Sequence, residues 1–291
     1  MSMRIGWLGL GAMGAPMAAC LVAAGYPVTG YDIDPARTAA LAELGGTAAG
    51  SPVEAAAGAD VVFVMVATAG QMTDVLAAIE PALAAGVVVV LMATVGPEAV
   101  AEAADRLTAR GVRVVDAPVS GGTVRAAAGD LLIMVGAEPE ALAPVVPLLD
   151  KLARDAPVVG SKPGDGQRMK LVNQLLCGVH IAAAAEALAF AEAAGMDPRA
   201  CWETVRHGAA ASFMLDDRGE RMLADTHDDV RSALDIFVKD MGLVMATAHS
   251  RGFDAPLAAA AEQRYRAGSA AGLGRQDDSV LIDVARGRAP A

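Results

Sequence analysis

Short, unbroken runs of β-branched and aliphatic residues alternate with alanine-rich stretches over the first half of the chain. A strand with one wet face would alternate apolar and polar residues, so continuous apolar runs read as strands covered on both faces. Strands are expected on that ground at 4–8, 28–31, 61–66, 87–91, 112–115, 131–135 and 157–159, with helices at 12–24, 35–44, 71–83 and 97–110. Strands alternating with helices imply right-handed crossovers and an α/β domain with a doubly wound, largely parallel sheet.

After Gly160 the strand-like runs stop. Long helical patterns follow at 167–194, 198–207, 232–250 and 255–267, so the second part reads as all-α. The Pro/Gly-rich segment 161–166 separates the two, giving expected domains of 1–162 and 163–291.

The stretch 5–31 carries no charge and invites a reading as a signal peptide or membrane span. Gly9, Gly11, Gly14, Pro16, Gly25, Pro27 and Gly30 divide it into strand, turn, helix and strand instead. No other stretch resembles a span on this reading, since 81–97 is interrupted by Gly86, and a soluble protein is expected.

Composition narrows the function classes. A net charge of −11 in 291 residues argues against nucleic acid as the partner, which would demand clustered Lys and Arg. Cys20, Cys177 and Cys201 are odd in number and lack C-x-x-C spacing, which fits a reducing, cytoplasmic compartment.

Gly9-Leu10-Gly11-Ala12-Met13-Gly14 follows the first strand and opens the first helix. The first glycine permits a tight turn, the second close approach to a pyrophosphate, and the third close packing of helix on sheet. Helix N–H groups then face the phosphate charge. Asp32 ends the second strand, where a carboxylate accepts from a ribose 2′-hydroxyl and repels a 2′-phosphate. Ile33 follows it, and Arg37 reads as a solvated helix residue, so NAD is expected in preference to NADP. Val66 and Ala67 end the third strand and Thr94 lies beyond the fourth, so all three should line the nicotinamide side. Thr94 has an alternative reading as a cap for the helix near Pro97.

Ser120, Gly121 and Gly122 lie in the stretch from Asp116 to Gly122, small residues after a strand whose N–H groups can form a concavity for a carboxylate. An ordinary glycine turn is the competing reading. Lys170 opens a stretch, 171–185, that contains no charge. Desolvating an ammonium is unfavourable, and its proton affinity falls when water is removed, which suits a general base. Asn173, Gln174 and Cys177 share its helix face by their spacing, Cys177 as a core residue. His180, His207, His227 and His249 show no metal-ligand spacing, and no metal is expected.

The stretch from Gly9 to Asp32, that from Asp116 to Gly122 with Gly129, that from Gly164 to Gln174, and Lys239-Asp240 together resemble the β-hydroxyacid dehydrogenase family. The resemblance implies a Rossmann domain, a helical C-terminal domain and a long connecting helix. It also implies Lys170 as general acid/base, Ser120, Gly121 and Gly122 on the substrate carboxylate, and Lys239 reaching the cofactor. Many members carry asparagine where this chain has Gln174, a longer amide arm that implies a different substrate. The stretches 174–181, 231–242 and 274–279 look like the L-threonate dehydrogenase branch, which oxidises the C2 hydroxyl of a sugar acid with NAD. The alternatives are a 3-hydroxyisobutyrate dehydrogenase, a tartronate semialdehyde (2-hydroxy-3-oxopropionate) reductase, an imine reductase (against which Lys170 counts), and a non-catalytic NAD-binding scaffold. Alanine-rich helical faces predict a homodimer or homotetramer.

Overall fold

The computed structural model describes residues 3–224 and 226–288, and the chain divides into two compact units at the Lys170–Leu171 bond. The strands of the first unit are β1 (Ile5–Leu8), β2 (Val28–Tyr31), β3 (Thr47–Ala48), β4 (Val61–Val64), β5 (Val88–Leu91), β6 (Arg113–Asp116), β7 (Val119–Ser120), β8 (Leu131–Ile133), β9 (Val135–Gly136), β10 (Ala153–Asp155) and β11 (Val158–Gly160). An eight-stranded sheet runs β11-β9-β6-β5-β4-β1-β2-β3, and a three-stranded one β10-β8-β7. Pairing is parallel except between β6 and β9 and between β7 and β8.

Every residue of β1, β4 and β5 is buried, which is why their apolar runs are continuous. On one face of the main sheet Trp7 stacks on Phe63, ring centroids 4.9 Å apart, over Met17 and Leu21. On the other, Val62 and Val64 meet Leu76, Ile79, Val100 and Leu107. The chain leaves β1 for β2 on one side and returns to β4 on the other, both parallel to β1. The switch point of the sheet therefore lies at the carboxyl ends of β1 and β4, where open α/β sheets bind ligands.

Two expected elements need correction. The apolar run 131–135 is two strands, because the chain passes from one sheet to the other at Met134, whose N–H donates to Pro118 O at 3.0 Å. The helix expected at 71–83 is Ala69–Ile79 followed by a 3₁₀ turn, Glu80–Ala82, since Pro81 cannot continue α-helical bonding. Thr68 starts it by accepting from Gln71 N at 3.2 Å.

The second unit is helical. Its helices Leu234–Ser250 and Pro256–Ala270 pack together, with Phe237 stacked on Tyr265 at 5.3 Å and the Tyr265 hydroxyl donating to Gly178 O at 2.9 Å. Two helices escaped the apolar pattern. Phe213–Met222 is short and mainly polar, and starts where Ser212 Oγ accepts from Leu215 N at 3.0 Å. Leu281–Ala285 is a single turn behind the buried carboxylates Asp277 and Asp278, which pair with Arg221 and Arg218 at 2.8 and 2.9 Å.

The helix Asp165–Ala193 carries the chain from the first unit into the second. It corrects the expectation that no later stretch resembles a span: at 29 residues it is long and apolar enough to cross a membrane. Leu171, Ile181, Ala184, Ala185 and Leu188 on it belong instead to the core of the second unit.

Candidate functional site

The glycine turn after β1 is built as a phosphate loop demands. Gly9 has φ +95°, and a Cβ there would stand 2.2 Å from Met65 O, beyond β4. A Cβ on Gly14 would stand 2.0 Å from Gly9 O, so the helix Gly14–Ala23 begins in direct contact with the turn. Gly11 differs: its Cβ would meet only Arg37 Nη1, at 3.6 Å. Among the described residues no other atom near that position calls for a glycine, whereas close approach of a pyrophosphate does. Met13 stands at the N-cap, Ala12 precedes it, and the first turn of the helix carries no acidic residue.

Asp32 faces this loop. Its Oδ2 accepts from Leu10 N at 2.7 Å and its Oδ1 from Asp34 N at 2.9 Å. Arg37 Nη1 is 3.7 Å from the same Oδ2, and its Nε is 3.4 Å from Asp34. The turn, the bare second glycine and the carboxylate thus fit a nicotinamide dinucleotide, with Gly9, Gly11, Gly14 and Asp32 as the residues that would hold it.

Val66 and Ala67 follow β4 at the same edge, where Gln71 Oε1 accepts from Ala67 N at 2.9 Å. Thr94 follows β5, half-buried. The N-cap of helix Pro97–Thr108 is Gly96, two residues beyond Thr94. Ser120 ends β7, and Gly121 and Gly122 (φ +144° and +74°) turn the chain into the helix Gly122–Ala127.

Lys170 is 6% exposed. The helix that carries it is anchored in the first unit by two buried polar residues that the apolar pattern could not assign. Asp116, at the end of β6 and fully buried, accepts through Oδ2 from Gly164 N and Gln167 N, both at 2.9 Å. Gln167, also fully buried, donates to Asp116 Oδ1 at 2.9 Å and to Ala93 O at 3.0 Å. Its Oε1 accepts from Val95 N and Gly96 N, at 3.0 and 3.1 Å. The sequence held a signal for both: a carboxylate closing an apolar strand, and an amide inside the first turn of an apolar helix.

Burial pushes the Asp116 carboxyl from the usual 3.8 up to about 6, against the pull of its hydrogen bonds. A value raised on folding means that protonation favours the folded chain. That contribution is complete below 3.8 and is lost as pH climbs through about 6. The margin in melting temperature between wild type and Asp116→Asn is therefore expected to shrink between those values and level off above. The change corresponds to roughly 3 kcal/mol, and a margin constant across the range would contradict the burial argument.

In the second unit Asn173 Nδ2 donates to Gln174 Oε1 at 2.8 Å and lies 3.4 Å from Cys177 Sγ. Gln174 Nε2 donates to Asp240, and Lys239 Nζ lies 2.6 Å from Asp240 Oδ1. The expected substrate amides and the expected cofactor lysine thus belong to one network centred on a buried carboxylate, Asp240 being 2% exposed. His227, buried against Ser279 Oγ at 2.9 Å, is a packing residue. Among the described residues no group of three His, Cys, Asp or Glu is placed to hold a metal ion.

Known proteins resemble this chain over nearly its whole length. Residues 4–161 match the NAD binding domain of 6-phosphogluconate dehydrogenase, and 164–285 the domain described as NAD-binding of NADP-dependent 3-hydroxyisobutyrate dehydrogenase. The L-threonate dehydrogenase of Cupriavidus necator is 40% identical over 287 residues, 98% of this chain and 96% of that one. The 2-hydroxy-3-oxopropionate reductase of Escherichia coli K12 is 32% identical over 97% of each chain. The crystal structure of a 3-hydroxyisobutyrate dehydrogenase from Salmonella typhimurium matches with a TM-score of 0.92 at 37% identity, over 97% of this chain and 100% of that one. This chain belongs to the β-hydroxyacid dehydrogenase family, nicotinamide-dependent oxidoreductases of the 3-hydroxyisobutyrate dehydrogenase type.

Proposed function

We propose that the protein oxidises the C2 hydroxyl of L-threonate or a related small sugar acid with NAD, using Lys170 as general acid/base. The observation that carries this reading is a lysine at 6% exposure opening a helical stretch with no other charge. A bound nicotinamide supplies the hydride acceptor. The chain's own part is to hold and to move a proton. The N–H groups from Ser120 to Gly122 hold the substrate carboxylate, Asn173 and Gln174 its hydroxyls, and the Lys170 amine accepts the proton of the reacting hydroxyl. Val66, Ala67, Thr94 and Lys239 complete the cofactor's surroundings.

The L-threonate dehydrogenases among its relatives support this substrate class. Assays of L-threonate, glycerate and 3-hydroxyisobutyrate should show the highest kcat/KM for L-threonate; a preference for either other acid moves the assignment to the corresponding alternative. An enzyme that binds NADH but turns over no hydroxy acid would be the scaffold of the opposing reading.

For the cofactor, Asp32 supports NAD over NADP. A carboxylate that already holds Leu10 N in place and draws Arg37 toward itself would meet a 2′-phosphate with like charge. NAD is expected to exceed NADP by at least about tenfold in kcat/KM, and Asp32→Ala to narrow the gap; equal use by the wild type would contradict this. A cytoplasmic homodimer or homotetramer completes the reading. Met169, Val172, Leu176 and Phe190 form an exposed apolar stripe on the helix Asp165–Ala193, as a self-association surface would. Light scattering of the purified protein decides between oligomer and monomer.

A further inference from the structure

A fully buried carboxylate paired with a fully buried amide has no place in the chemistry just described, yet the pair meets three of its parts. Asp116 immediately precedes the segment from Ala117 to Gly122 that carries the carboxylate-binding amides. Its Oδ2 takes the N–H groups of Gly164 and Gln167, where the helix Asp165–Ala193 begins. The first N–H groups of a helix have no partner within it, and negative charge is favoured at that end. Asp116 thus caps a 29-residue helix from a distant point in the sequence. Gln167 carries the connection onward, fixing Ala93 O, Val95 N and Gly96 N on both sides of Thr94. Lys170 stands one turn further along the same helix, next to Gln167 by the i, i+3 spacing.

The backbone around the pair is closely packed. A Cβ on Gly166 would stand 2.5 Å from Met134 O and 2.9 Å from Asp116 Oδ2. On Gly136 it would stand 2.6 Å from Gly166 N, and on Gly160 2.2 Å from Asp165 Oδ2. Bare glycines at these points let the helix start descend onto the carboxylate.

We infer that Asp116 and Gln167 are positioning residues for the reaction: one buried clasp that sets the Lys170 turn, the Thr94 loop and the start of the substrate loop in mutual register. Neither residue touches the reacting atoms. The inference rests on the general acid/base reading of Lys170, because a clasp positions nothing if that lysine does no chemistry. A misplacement of about 1 Å in a reacting group lowers turnover by about 10²-fold, so even partial release of the clasp is measurable.

The experiment compares Asp116→Asn, Gln167→Met and the double variant with the wild type. NADH binding counts competent sites, and kcat is expressed per site. A merely structural role would lower the number of sites and leave turnover per site unchanged. The clasp predicts full NADH binding, kcat per site reduced by about 10–100-fold, and a double variant no slower than the slower single one, as expected of residues acting as a unit. It also predicts that backbone amide exchange rises together in peptides 93–96 and 164–170 of Gln167→Met. Turnover per site within about twofold of wild type in both single variants overturns the inference and leaves the Lys170 reading in place. Unchanged exchange in either peptide of Gln167→Met overturns the inference as well. Should the wild type itself turn over no hydroxy acid, the proposed function fails and the inference falls with it.

Discussion

Replacing Lys170 with alanine is expected to lower turnover of the hydroxy acid by about 10²–10⁴-fold while NADH still binds. The size follows from what the side chain is asked to do. At 6% exposure Lys170 is denied most of the water that stabilises an ammonium, and fifteen helical positions after it bring no counter-charge of their own. A lysine placed only to cover apolar surface would carry its head out to solvent. Lys170→Arg separates proton transfer from charge: the guanidinium keeps the positive charge and does not deprotonate in proteins. The arginine variant is therefore expected to be about as slow as the alanine variant. If arginine restored activity to within about tenfold of wild type, the residue would be a fixed charge and not a base.

The second large effect concerns the glycine turn, where three substitutions of one type should behave in two ways. Gly9→Ala forces a side chain into positive φ with its Cβ 2.2 Å from Met65 O, and Gly14→Ala drives one to 2.0 Å from Gly9 O. Both neighbours are backbone atoms of a packed core and cannot rotate aside. Each variant is expected to lose on the order of 3 kcal/mol of stability, by strain and overpacking. Gly11→Ala meets only the end of the Arg37 side chain, at 3.6 Å, so its stability should stay within about 0.5 kcal/mol of wild type. Its affinity for NADH should nonetheless fall at least about tenfold, because the added methyl stands where the pyrophosphate approaches. Thermal melts without cofactor and NADH titrations together check this. A destabilised Gly11→Ala, or one that binds NADH normally, would return the turn to an ordinary strand–helix connection.

The elements most legible in the sequence were those whose residues answer to one environment. β1, β4 and β5 are buried on both faces, so their apolar runs are continuous and their positions could be read directly. The glycine turn and Asp32 were legible because sterics and charge allow few substitutes. Less legible was whatever depends on residues distant in sequence. The split of 131–135 between two sheets is decided by Pro118, and β3 and β7, at two residues each, are held by pairing alone. The helix Phe213–Met222 is short and mainly polar, announced only by Ser212. In the site, Lys170 stood out as the charge that opens an uncharged stretch. Gln167, on the same turn, did not: its four partners lie in the segments 93–96 and 116, more than 50 residues away in sequence. Asn173 and Gln174 were picked out as polar groups in an apolar helix and Lys239 by the family resemblance, but that Asp240 joins them follows only from the packing of the second unit.

The most direct test of the account is the response of Lys170→Ala to small primary amines added to the assay. An amine that enters the space left by the side chain can take the proton in its stead. Initial rates of NADH formation from L-threonate are predicted to rise with amine concentration from a level at least about 10²-fold below wild type. A Lys170→Ala enzyme that turns over its substrate at the wild-type rate with no amine present would contradict the account.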